Sequence, residues 1–299
     1  MKLWNEEGQI IVYIACLMSI FIGILAFVID GGYLYLEKAN VQKASDSAAL
    51  AGAQEIPTSQ THAIQKVREA IELNKENPSN YSILFNSNLT KIEVVGKKKV
   101  KLFFAGALGI QNPEVEARAT VELAPITSGF GAVPLGFDYR SLLIQGMIYI
   151  LSVEDSGIGK FNALAFSGGG ADRFEKDLTI GFNGSLKVND IVDIESGSMN
   201  GPTNKAISTR ISACPNDSYT NYSSGCSRLV LVPIVKPYSY EKLKLKQVMI
   251  VGFATFFIEG VTPTWLGSNI IGRFVQATYP GNISTNQTDY GTFGYKLTR

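Results

Sequence analysis

Ile10 to Ile29 reads IIVYIACLMSIFIGILAFVI, and this stretch decides the architecture. It holds no charged residue, and nothing in it is more polar than Tyr13, Cys16 and Ser19. At the helical rise of about 1.5 Å per residue, the run covers about 30 Å, the hydrocarbon thickness of a bilayer. A buried helix of a soluble protein would carry one polar face, and none is visible here. The run therefore reads as a transmembrane helix whose first partner is the lipid bilayer. It is long for a secretory signal, and Phe27-Val28-Ile29-Asp30 offers no small-x-small cleavage site, so an uncleaved anchor is expected. Charge does not orient it. Lys2 and the terminal amine lie on one side, Lys38 and Lys43 on the other.

The helix is expected to continue beyond the apolar run. Leu34, Val41, Ala44, Ala48 and Ala51 recur at spacings of seven, three, four and three, a narrow helical stripe of mostly small residues. Small residues let another backbone approach closely. The spacing fits packing on the chain's own domain and packing between subunits equally well, so a homo-oligomer through this helix stays open. Pro57 ends the helix, because the residue before a proline is pushed out of the α region.

These same residues resemble a known family. Gly8-Gln9, the apolar run, Val28-Ile29-Asp30-Gly31-Gly32-Tyr33 and the tail Ala44-Ser45-Asp46-Ser47-Ala48-Ala49-Leu50-Ala51 are similar to the N-terminal domain of TadE/TadG-like proteins of the bacterial Tad (Flp) pilus-assembly system, closest to the TadG type. The likeness covers about residues 8–54. It implies a membrane-anchored structural or assembly protein whose partners are Tad/Flp pilus-assembly proteins. It also marks Gly8 as a candidate processing site. Pilin-like members are cleaved after such a glycine and carry a glutamate five residues later; here that residue is Tyr13, so processing is not expected. Longer TadG-type proteins carry an Asp-x-Ser-x-Ser metal site. Neither Asp155-Ser156-Gly157-Ile158-Gly159 nor Asp217-Ser218-Tyr219 supplies it.

The rest of the chain is read as a β-rich exported region, giving an α+β protein. Residues 1–56 form the anchor and extended helix, 57–125 a small α+β region built as pilin-like subunits are, and 126–299 an all-β domain. Ala63, Ile64, Val67, Ala70 and Ile71 give a short amphipathic helix. Strands follow at Ile92–Val95, Val100–Phe104 and Val115–Leu123. Lys97-Lys98-Lys99 reads as a solvated hairpin, and Pro125 to Pro134 as a linker. Further strands are expected at 146–153, 161–166, 229–235, 246–258 and 270–278, with Met249–Ile258 a buried strand carrying a glycine bulge rather than a second span.

Cys214 and Cys226 bracket a polar loop and fit a disulfide formed in an oxidising compartment. Cys16 sits in the apolar run. The chain has 299 residues, 18% of them charged, and a net charge of +1 with no basic stripe, which argues against nucleic acid as a partner. One histidine, His62, leaves no His-based triad or zinc set, and no cofactor is expected. Gly168-Gly169-Gly170 lacks the ending of a phosphate loop and reads as a turn. The run from Gly197 reads as a turn-rich loop. Asp190, Asp193 and Glu195 alternate, as on a strand with a polar outer face; a hydrolase would need them joined to another acid in a cleft. No enzyme is expected, and the main alternative to a pilus role is a surface binding module or adhesin sharing the anchor.

Overall fold

The computed structural model describes residues 7–109, 111–152, 161–223, 225–263 and 268–298. The chain divides into two compact units. The first comprises residues up to Gly52, Ala63–Val121 and the last few from Leu297; the second comprises Ala53–His62 and Glu122–Lys296. The expected α+β architecture is present: a long apolar N-terminal helix precedes a β-rich region.

The first unit is built on α1 (Glu7–Glu55), a single helix of 49 residues. Its second half lies against α2 (Gln60–Leu73) and an antiparallel sheet of β1 (Tyr81–Phe85), β2 (Lys91–Lys99) and β3 (Glu114–Pro125). Helix α2 turns Ala63, Val67, Ala70 and Ile71 inward, as its period predicts. Ion pairs Lys97–Glu116 and Arg118–Glu93 join β2 and β3 on the exposed face, while Ile92, Val94, Ala117 and Ala119 alternate inward. Two expectations fail here. Lys97-Lys98-Lys99 is not a hairpin but the end of β2, and Val100–Phe104 is not a strand but the approach to a short 3₁₀ turn at Ala105–Leu108. Strand β1 escaped notice because Tyr81–Phe85 alternates between half-buried and exposed without a polar face.

In the second unit, β4 (Ser128–Phe130), β5 (Leu135–Asp138), β6 (Ile148–Ser152) and β7 (Phe161–Ala163) come first. Next come α3 (Ala171–Ile180), β8 (Ser185–Lys187), β9 (Ile191–Asp193) and α4 (Asn200–Ala213). The long pair β10 (Leu229–Glu241) and β11 (Lys244–Pro263) follows, then β12 (Ser268–Val275), β13 (Ala277–Thr278) and β14 (Thr292–Thr298). The main sheet runs β6-β12-β11-β10-β5-β7, with β9 also paired to β11. Strands β10 and β11 meet through a two-residue turn at Lys242-Leu243, both at positive φ.

This sheet is covered on both faces. One core joins Val232, Ile234, Ala254 and Phe256 to Phe174 and Leu178 of α3 and Ala206 and Ile207 of α4. The other joins Leu231, Val235, Ile250 and Phe253 to Ile126, Leu164 and Leu186. Burial on both faces explains why β10 and β11 read as continuous apolar runs. The bulge expected near Gly252 is present: Ile234 pairs with Gly252 and Val235 with Ile250, which leaves Val251 extra.

Residues 126–299 are therefore not all-β. Helix α3 follows the triple glycine directly, and α4 occupies the segment read as a loop. Pro202 lies in the first turn of α4, where its missing N–H is an orphan in any helix. Most of the segment read as a linker is buried: Ile126, Ala132 and Val133 are inaccessible, and Val133 donates its N–H to Leu231, although Phe130 is exposed. It is uncharged because it is interior.

Candidate membrane anchor and its seat on the first unit

Helix α1 is one candidate membrane span, with a mean hydropathy of 2.8 in its most apolar window and none of that window covered by the rest of the chain. Residues on every side of it, Ile11, Leu17, Phe21 and Phe27 among them, are exposed. A soluble helix of this composition would bury a face. The Ser19 hydroxyl donates back to the Ala15 carbonyl at 2.8 Å, so that donor is met within the helix itself. Cys16 is a free, exposed thiol. Gly8 falls in the first turn of α1.

Asp30 ends the apolar run and is only 5% exposed. Its carboxylate accepts three backbone N–H groups: Phe103 at 2.9 Å, Phe104 at 3.1 Å and Ala105 at 2.7 Å. One anion thus satisfies the donors that open the 3₁₀ turn, as a capping residue does from within its own helix. Gly31 and Gly32 follow at once, and no atom lies within 4 Å of a Cβ built on either. Two glycines in a helix interior weaken it by about 2 kcal/mol relative to alanine. Asp30 grips the head on one side of this weak point, while Tyr33 and Leu34 pack against the sheet on the other. The Tyr33 and Phe103 rings meet with centroids 5.2 Å apart.

The helical stripe lies within the first unit. Val41 packs with Val100, Leu102, Val115 and Ala117, and Leu34 leans on the same cluster. Ala44 and Ala48 are inaccessible, and Ala51 is half-buried at the margin. The covered face runs Val41, Ala44, Ser45, Ala48, Ala49 and Gly52, so it is broader than the sequence stripe and shifted toward Gly52. These small residues bring the helix onto its own sheet and onto α2, the first of the two packings the spacing allows. A Cβ on Gly52 would lie 2.5 Å from Val67 Cγ2 and 2.7 Å from Ile92 Cδ1. Gln42 fixes the register by donating to the Arg118 carbonyl at 2.9 Å.

Beside the stripe sits a cation between two acids. Lys98 Nζ lies 2.7 Å from Glu37 and 2.8 Å from Glu76. Burial alone would pull the Lys98 ammonium down, but the hydrogen bonds to Glu37 and Glu76 outweigh it and raise its pKa. Neighbouring Tyr81 is pushed up to about 12, first by burial and then by the Glu76 charge. Alternation along β2 places Lys98 inward between outward Lys97 and Lys99, which a reading of three consecutive lysines could not separate.

Elsewhere, Cys214 and Cys226 form the expected disulfide, with Cα atoms 5.8 Å apart. Asp217 stands beside the two sulfurs, but both sulfurs are engaged in the bond and no thiolate is left for a metal. His62 is exposed at the start of α2. Segment 155–159 lies outside the described residues. Asp193 is exposed and accepts from Gln247, whereas Glu195 is buried, contrary to the expected polar outer face. Its carboxylate accepts the N–H of Gly170 at 3.1 Å, at the start of α3. The triple glycine followed by a helix therefore receives an anion from its own chain.

No curated protein and no solved structure matches the chain. A family model matches the candidate span and its seat, from Gly8 to the end of α1. Residues 8–55 match the model of the Tad family, described as Flp pilus-assembly TadE/G-like.

Proposed function

We propose that this is a single-pass, membrane-anchored structural or assembly protein of a Tad/Flp-type pilus or a related appendage, with everything beyond Asp30 on the extracytoplasmic side of a bacterial cell membrane. One observation carries the reading: the family match at residues 8–55 coincides with a helix whose apolar half is uncovered and whose other half is seated in a folded unit. The helix tethers the folded region to the bilayer, where its surfaces are available to the pilus machinery. The Cys214–Cys226 disulfide supports the oxidising side. Chemistry has no part in this role, and no side chain is assigned to catalysis.

Two measurements on native cells test it. Protease added to intact spheroplasts should digest the region beyond Asp30 while sparing the span, and cross-linking should recover pilus-assembly components. A product that fractionates as a water-soluble cytosolic species, or a deletion strain that assembles pili normally, would sink it.

A further inference from the structure

The segment between Lys99 and Pro113 is placed by Asp30. Because Asp30 follows Ile29 directly, the backbone of Phe103–Ala105 is held at the end of the apolar run. Tyr33, against the Phe103 ring, is three residues further along, about 4.5 Å of helix. The headgroup layer beyond the hydrocarbon is about 5–7 Å deep on each side. Phe103 and Phe104 thus stand at headgroup depth, and they are 64% and 42% exposed. Large exposed apolar side chains at one edge mark a contact surface.

The exposed charges of the segment itself are positive, since the one acid against it, Asp30, is buried beneath its backbone. Between Lys99 and Pro113 the sequence has two lysines and no acid. Lys99, Lys101, Gln111 and Asn112 help line an open groove of about 630 Å³ beside Phe103. Lysines lining a groove beside aromatic rings suit anionic lipid phosphates, with the rings in the acyl boundary. The exposed Tyr35 lies on α1 just beyond Tyr33.

We propose that Lys99, Lys101, Phe103 and Phe104 form a second membrane contact, in which the two phenylalanines enter the lipid interface and the two lysines bind anionic headgroups. The occupant is the bilayer surface itself, because this patch continues the lipid-facing side of the span. The proposal rests on the membrane reading above, and its test separates the two.

Full-length chain with Cys16→Ser is reconstituted in phosphatidylcholine vesicles, with and without phosphatidylglycerol, bearing a nitroxide at Phe103→Cys. A second sample carries the label at Leu17→Cys and a third at Asn88→Cys, in the exposed β1–β2 turn. Collision with oxygen and with a water-soluble nickel chelate reports depth. The Phe103 label should be several-fold more oxygen-accessible relative to nickel than the Asn88 label, and phosphatidylglycerol should raise that ratio. Lys99→Gln with Lys101→Gln should abolish the phosphatidylglycerol increment. A Leu17 label in lipid with a Phe103 label as aqueous as that at Asn88 would overturn this inference alone. So would a Phe103 label shielded from both reagents, which would signal a protein cover. A Leu17 label in water would remove the anchor as well.

Discussion

Lys98 on β2 reaches Glu37 on α1, and the ammonium and carboxylate close to 2.7 Å. With Glu76 at 2.8 Å on its other side, the lysine separates two acids that face one site. Lys98→Met leaves the two carboxylates together. Breaking a buried pair costs about 3–5 kcal/mol, and the 30% exposure of the Lys98 side chain reduces the expected loss to about 2 kcal/mol. Thermal unfolding of the full chain in detergent measures it.

The same site sets the response to alkali. Lys98 has a folded pKa above its ordinary 10.5, so its stabilisation is complete below that value and is lost as pH rises through the folded value. Tyr81, raised to about 12, acts in the same direction, since its unfolded phenol ionises first, near 10. Stability should therefore decline from about pH 10 upward, and less steeply in Lys98→Met. An unfolding midpoint that stays level between pH 9 and 12 would contradict the assignment.

Asp30→Ala removes the acceptor for three N–H groups and frees the glycine pair beside it. Leaving buried donors unmet costs about 1–3 kcal/mol. Hydrogen exchange at Phe103, Phe104 and Ala105 should accelerate before exchange in β2 does. Asp30→Asn, which keeps one oxygen, should fall between the two.

Gly52→Leu tests the seat. A larger side chain must displace Val67 and Ile92, and overpacking of this kind costs about 1–3 kcal/mol. Equal substitution at Gly23, where a Cβ meets nothing within 4 Å, should leave the unfolding midpoint of the first unit unchanged.

For the disulfide, a closed loop of this length stabilises by about 3 kcal/mol in the chain-entropy model. Cys214→Ser with Cys226→Ser should lose about that much. Thiol titration of denatured, unreduced chain should find one thiol, Cys16, and three after reduction.

The candidate span was legible because its apolar run is long and uninterrupted, and the amphipathic period of α2 was legible because one face meets water. Interior elements were not. Helices α3 and α4 carry short apolar faces of Phe174 with Leu178 and Ala206 with Ile207, too sparse to distinguish from turns rich in glycine and asparagine. The sequence stripe at Leu34, Val41, Ala44, Ala48 and Ala51 found the packed side of α1 but not its partner, since small residues look alike against a sheet and against a second subunit. The ties of Asp30 to residue 105 and of Lys98 to Glu37 span more than sixty positions, and no local period can announce them.

The glycine pair at the foot of the head has a mechanical consequence. Were it free, the span could lean in the bilayer while the head stayed upright. Clamped on both sides, it transmits tilt as a crank does. A lean of about 20°, common for single helices, acting along the roughly 33 Å from Asp30 to Gly52, would swing Gly52 sideways by about 11 Å. With the span in a bilayer as proposed, a pull on the first unit would be felt as torque in the lipid.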